Sequence, residues 1–387
     1  MTAPPVPRYG TADVALLVPD AVAALTGRPR RLPTLPLPER VRAVVVVVID
    51  GLGRRLLDAH ADLAPVMSAA AGITLDAPFP TTTPTSLTSI GTGVTPGRHG
   101  ITGTSLAVPH DDRPLIALTW SWIRQDLDLD ARDDVVPESF QPLPTAFELA
   151  RDDGVNAVTV LRPEFATSGL TRAGLRGGEV VRATGREETL TAAVAAAAGS
   201  GRPTVVYAHH GDLDALGHLT GPGSDQWCAE LAAIDAAVAQ AAADLPPDVA
   251  LVITADHGMV RVPPEGFVEL TDRPALLDGV RVLTGDPRAR QLHVRPGAAA
   301  DVTAAWREAC AGLAHVRSRD EAIAAGWFGP EVAEHVRPRI GDLVVSATAL
   351  DVAWVHRDAD LFGGRLPGQH GALTPEELEV PALVVTR

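Results

Sequence analysis

Seven consecutive apolar residues, Ala43 to Ile49, five of them valine, run without a polar interruption into Asp50 and Gly51. β-Branched residues that do not alternate with polar ones form a strand covered on both faces, which implies a parallel sheet sandwiched by helices. In open α/β sheets, ligands collect beyond the carboxyl ends of such strands, and Asp50 lies there. On this stretch alone, the carboxylate is either a metal ligand or the start of an Asp-Gly turn.

The construction recurs along the chain. Ala250–Thr254 is a second strand of this kind, followed closely by Asp256 and His257. Further strands are expected at Ala157–Leu161, Thr204–Ala208 and Pro381–Thr386. Alanine-rich helices are expected at Glu188–Ala198 and Glu230–Ala243, and a first crossover helix over Arg54–Ala71. Strand alternating with helix predicts an α/β fold with a doubly wound, mostly parallel sheet and helices on both faces. Between Met259 and about Gly364 the pattern changes: strand-like QLHVRP, helical DVTAAWREACAGL and strand-like LVVSA suggest a small α+β cap. The expected organisation is a Pro-rich arm over 1–40, a catalytic core over 41–259 and 365–387, and an inserted cap over 260–364. The arm is expected to lie extended over the surface, with a short helix near Asp20 to Leu25.

Charge narrows the function classes. The net charge is −15 over 387 residues, and all 33 basic residues are arginine, with no basic run long enough to track a nucleic-acid backbone. No nucleic-acid polymer is expected as partner, whereas small anionic substrates are admissible where cations make the field locally positive. Cys228 and Cys310 stand far apart and outside any metal-binding spacing. No apolar run reaches membrane-spanning length and no signal-peptide pattern opens the sequence, so a cytoplasmic protein without membrane contact is expected.

Four polar clusters carry the candidate chemistry. Besides Asp50, and Asp256 with His257, the stretch TVVYAHHGDLDALGH places Asp214 and His218 one helical turn apart, where both face one ion. GQHG sets His370 in a glycine-flanked loop. Asp and His together suit Zn²⁺ or Mn²⁺. His209 and His210, beside the Asp214 cluster, are candidates for substrate contact or for supporting the ligands. In PTTTPTSL, Pro84 favours the first turn of a helix, so Thr83 is expected as the N-cap of a helix reaching about Gly91. An N-cap hydroxyl sits in the positive field of the helix dipole, which favours an alkoxide and an attached phosphoryl group.

In order, IDG, PTTTPT leading to TG and RHGI, YxxxxDxDxxGH, TADHGM and GxHG resemble the alkaline phosphatase superfamily, most closely its nucleotide pyrophosphatase/phosphodiesterase branch. The resemblance spans Asp50 to His370 and implies two divalent metal ions, zinc or else manganese. One would be held by Asp50, Thr83, Asp256 and His257, the other by Asp214, His218 and His370. It also implies hydrolysis of a small phosphate-containing substrate, a phosphodiester or phosphoanhydride, through a phosphothreonine on Thr83. Thr83 is chosen over its neighbouring hydroxyls by the cap position and by its distance to Thr92-Gly93. Thr104 stands where nucleotide-cleaving members place an asparagine that donates to a phosphate oxygen, and a hydroxyl there donates one bond with a different reach. Trp120 and Trp122 are candidates for stacking on a substrate, against packing within an apolar run. The alternatives are a phosphonoacetate-type phosphonate hydrolase, a phosphomonoesterase and a metal-stabilised binding protein without catalysis.

Overall fold

The computed structural model describes residues 5–124, 127–360 and 364–387. Its main sheet has seven strands in the order Ala71–Asp76, Glu379–Val385, Val249–Thr254, Ala43–Ile49, Thr204–His210, Asn156–Leu161 and Glu179–Arg182. The last five of these strands run parallel, while Glu379–Val385 is antiparallel to both of its neighbours. Ala43–Ile49 is central and wholly buried. The apolar run is continuous because neither face of this strand meets water, and the same holds for Thr204–His210 and Val249–Thr254. Pairing of Val48 with Thr254 and of Ile49 with His210 brings three strand ends level at one edge. That register places Asp50, His209, His210 and Asp256 together.

Three sequence expectations need correction. Arg54–Ala71 is not one crossover helix but two short ones, Arg54–Ala59 and Pro65–Ala69, followed by the edge strand Ala71–Asp76. Pro65 restarts the helix, and the strand leaves its first two residues exposed, so its apolar content fits either period. The N-terminal residues do form the expected short helix, but it is longer and does not merely lie over the surface. The helix Leu17–Thr26 buries Leu17, Val18, Ala21 and Val22 in the main core, although Arg8 does clamp the surface by pairing with Asp76. Thr83 is the first helical residue of Thr83–Thr92 and not its cap; extended Thr82 takes the cap position without a side-chain cap bond.

Two smaller sheets crown the carboxyl edge. Ser105–Ala107, Pro114–Ile116, Ser121–Arg124 and Leu127–Asp130 form an antiparallel sheet inside the stretch assigned to the core. Its apolar cluster holds Trp120 and Trp122, whose indole N–H groups donate to the Val135 carbonyl and Asp134 carboxylate. Both tryptophans are therefore packing residues. Within 260–364, Val280–Asp286, Ala289–Val294, Leu343–Ala347 and Ala314–Ser318 form a second four-stranded sheet. It packs with the helix Ala299–Ala309 around Trp306. The ends of the proposed segments at 1–4 and 361–363 lie outside the described residues.

Candidate metal centre

Asp50 follows the central strand, and its backbone N–H donates to the His210 carbonyl. The next residue turns sharply: Gly51 has φ 74°, and a Cβ there would stand 3.1 Å from the Asp214 side chain. Glycine is thus required both by the left-handed backbone and by the approach of the helix Asp212–Thr220. Asp256 is held from two sides, its Oδ1 accepting from Gly51 N at 3.1 Å and His257 N at 3.0 Å. The other oxygen, Oδ2, is buried and has no hydrogen-bond partner.

Around these groups, Thr83 Oγ1 stands 3.4 Å from Asp50 Oδ1 and 3.2 Å from His257 Nε2. His257 Nε2 is 3.5 Å from both Asp50 and Asp256. Of the hydroxyl-bearing residues from Thr81 to Ser86, only Thr82 and Thr83 line the adjoining pocket. Thr81 is turned to the Ala372 carbonyl, and Thr85 and Ser86 are enclosed. Position against the carboxylates, not the cap, singles out Thr83.

The second group stands beside the first. On one turn of helix, Asp214 Oδ2 lies 3.4 Å from His218 Nε2, while buried Asp214 Oδ1 has no hydrogen-bond partner. His370 reaches in from the Gly368–Gly371 loop, its ring stacked on His257 at 3.7 Å. That loop packs tightly on the helix: a Cβ on Gly368 would meet the Gly217 carbonyl at 2.2 Å.

Tautomers follow from the acceptors. His218 Nδ1 faces the Gly368 carbonyl, His257 Nδ1 the Gly258 carbonyl and His370 Nδ1 the Thr81 carbonyl, all at 2.8–2.9 Å. A carbonyl only accepts, so each Nδ1 carries a proton, and it is the Nε2 of each ring that turns inward, free to offer a lone pair to a cation. His218 Nε2 and His370 Nε2 then face each other at 3.2 Å as two acceptors. Such an arrangement is repulsive by itself and is relieved by a cation between the rings. Orienting histidines through backbone carbonyls is also how metal sites fix ligand direction.

Electrostatics agree. Burial, then the charges of Asp256 and Asp214, push the Asp50 carboxyl well above its ordinary range. Burial and then the neighbouring His257 and His218 push His370 well below the usual imidazole value. Three clustered carboxylates, two with unpartnered buried oxygens, are costly without positive charge. Two groups of residues bring ligand atoms together at metal-binding separations here, Asp50 with Asp256 and His257, and Asp214 with His257 and His370. The donor set fits two divalent cations, and all seven sequence-derived candidates lie in one constellation.

His209 and His210 separate in role. His209 Nε2 lies 3.0 Å from Asp50 Oδ2 and so orients that carboxylate, with burial pushing His209 down to about 4. His210 turns away to Glu230 at 3.1 Å. With Asp212 it forms a third cluster of ligand type. There Arg186 already pairs with Glu230 and Arg162 with Asp212, so the charge is met by guanidinium. Thr104 lies at the pocket wall, its hydroxyl 2.6 Å from that of Thr82. Both hang on Asp286, which accepts from Thr104 N and the Thr82 hydroxyl at 3.3 Å. The sequence reading passed over Asp286, although Gly285-Asp286-Pro287 at the end of a strand repeats the signal that marks Asp50.

A mostly parallel sheet with this strand-end constellation is the architecture of the alkaline phosphatase superfamily. The sequence matches the model of the family described as Type I phosphodiesterase / nucleotide pyrophosphatase over residues 44–371, and the chain belongs to that family. Among solved structures, phosphonoacetate hydrolase from Sinorhizobium meliloti, in complex with phosphonoformate, is similar with a TM-score of 0.65 and 21% identity. The match covers 89% of this chain and 90% of that one. Murine ectonucleotide pyrophosphatase / phosphodiesterase 5, an inactive form in complex with AMP, gives 0.62 and 17% over 88% of this chain and 87% of that one. The human counterpart gives 0.64 and 18% over 89% and 87%. At these identities the likeness establishes the fold. No curated protein sequence matches the chain. No helix among the described residues is long and apolar enough to cross a membrane.

Proposed function

We propose that the protein is a two-metal hydrolase of phosphodiesters or phosphoanhydrides, with Thr83 as nucleophile. The observation that carries this reading is that Thr83 Oγ1 stands against Asp50 Oδ1 and His257 Nε2, in a cluster whose Asp214 Oδ1 and Asp256 Oδ2 are buried without hydrogen-bond partners. Asp50, Thr83, Asp256 and His257 would hold one cation and Asp214, His218 and His370 the other. When bound, a pair of divalent cations, zinc in the first instance and manganese as the alternative, supplies charge neutralisation for the attacking and departing oxygens. Thr83 Oγ1, at the start of a ten-residue helix, attacks phosphorus as its hydroxyl proton is lost to solvent. The P–O bond to the leaving group breaks, and that oxygen keeps the electron pair and takes up a proton. Water then attacks the phosphothreonine, releases the phosphoryl product and restores the hydroxyl. Thr104 and Thr82 present hydroxyls to the same side of the pocket, where a non-bridging oxygen would lie. The segment 260–364 supplies Gly285, Asp286 and Asp360 to the pocket wall and acts as the cap.

Exhaustive chelation of the purified enzyme is expected to abolish hydrolysis of bis-p-nitrophenyl phosphate, and zinc or manganese to restore it. Full turnover after chelation would refute the reading.

A further inference from the structure

The pocket in front of Thr83 encloses about 390 Å³, large enough for a small organic substituent beyond the phosphoryl group. Its chemistry divides in two. The inner end is the polar constellation. The outer end is apolar, contributed by elements far apart in sequence: Ile116 from the small sheet and Leu118 from the turn after it, Ala215 and Leu219 from the helix bearing Asp214 and His218, and Leu366 from the loop leading to His370. Leu219 directly follows His218 and is 66% exposed, so it is open to contact by a bound substituent.

Positive charge is missing from this surface. No arginine is among the described residues lining the pocket, and the chain has no lysine. The charged groups outside the metal-facing set are the carboxylates of Asp286 and Asp360, and both are engaged. Asp286 receives Thr82 and Thr104, and Asp360 receives Arg290 and the His356 N–H. A substrate arm carrying its own anionic charge, such as a carboxylate or a further phosphate, would lose hydration here and gain no cation of the protein in return. An aryl or alkyl arm would instead cover Leu118, Leu219 and Leu366.

We infer that the outer pocket selects phosphoryl substrates bearing an uncharged apolar substituent and rejects those bearing a second anionic group. The inference rests on the phosphoryl-hydrolase reading of the same site; within that reading it favours phosphodiesters over phosphoanhydrides, and it disfavours phosphonoacetate as substrate.

The test compares 4-nitrophenyl phosphodiesters whose second ester group is phenyl or carboxymethyl, using the metal-loaded enzyme. The kcat/KM for the phenyl ester is expected to exceed that for the carboxymethyl ester by roughly tenfold or more, ~1.4 kcal/mol in discrimination. Leu219→Asn and Leu366→Asn should narrow that ratio, and Leu118→Arg should invert it. A separate measurement reads binding without turnover: calorimetric titration of the metal-loaded protein with phenylphosphonate and with phosphonoacetate should give tighter binding of the former. Equal or tighter binding of phosphonoacetate, or a carboxymethyl ester turned over as well as the phenyl ester, would overturn the inference. Hydrolysis of neither diester, with phenylphosphonate still preferred, would refute the hydrolase reading and leave the pocket assignment supported.

Discussion

The two halves of the metal centre are built differently. Asp50, Asp256 and His257 stand at the ends of adjacent central strands, with Asp256 and His257 wholly buried and Asp256 pinned by two backbone N–H groups. Asp214, His218 and His370 come from a helix and a glycine-flanked loop, and the His218 side chain is 25% exposed. The first half is as rigid as the sheet that carries it, whereas the second opens onto the pocket. The difference teaches a division of labour. On the proposed function, the buried half would fix the nucleophile and the open half would meet the part of the substrate that comes and goes.

The largest effect should come from the residue on which both halves converge. Thr83→Ala is expected to lower turnover by roughly a thousandfold or more. Loss of a hydroxyl from the first helical turn should leave a cooperative melt, at a cost of about 1 kcal/mol. Thr83→Ser should keep part of the rate. If Thr83→Ala turned over normally while Thr82→Ala did not, the wrong hydroxyl has been assigned.

A smaller pair of effects separates the halves themselves. Asp256→Asn keeps an oxygen for the Gly51 and His257 N–H groups but removes one of the charges that disfavour ionised Asp50. In metal-free protein it should therefore raise the melting temperature, by about 1 kcal/mol in stability, while abolishing activity. His218→Asn should leave the metal-free melt nearly unchanged and weaken one metal, with activity recovered in excess zinc. Equal behaviour of the two variants in thermal melts and zinc titrations would erase the distinction between buried and open halves.

An effect on stability alone, outside both halves, concerns His99, a histidine with no metal role. It is wholly buried, accepts from Ile101 N and lies beside Ser89, and burial followed by the charge of Arg339 pushes it down to about 3. Between that value and about 6.5 the unfolded chain binds a proton that the native state does not. Stability from this group therefore rises with pH through the window and is flat above it, with a slope of at most about 1.4 kcal/mol per pH unit. Urea unfolding from pH 4 to 7 should show a shallower rise in His99→Gln than in the unmodified chain. An unchanged slope would remove His99 as its source.

Legibility in the sequence followed the same division. Strand ends such as Asp50 and Asp256 were readable because a strand buried on both faces leaves an unbroken apolar run, and the first polar residue after it marks the edge. Asp214 and His218 were readable from their one-turn spacing. The small sheet around Trp120 was not, because strands of three or four residues carry too few positions for any period to show. Thr83 is the hydroxyl that the fold sets beside Asp50 and His257, but the cap argument that singled it out is incomplete. Pro84 is tolerated at either of the first two helical positions, so Thr-Pro alone does not decide which residue caps. Asp286 escaped notice because it belongs to the 260–364 segment and reaches the site only through the fold, by way of Thr82 and Thr104.

The central claim, two cations in the constellation around Thr83, is tested most directly by anomalous diffraction at the zinc edge from crystals of the zinc-loaded protein. The account predicts two peaks per chain, one among Asp50, Thr83, Asp256 and His257 and one among Asp214, His218 and His370. A single peak, or a peak at His210, Asp212 and Glu230 with none beside Thr83, would contradict it.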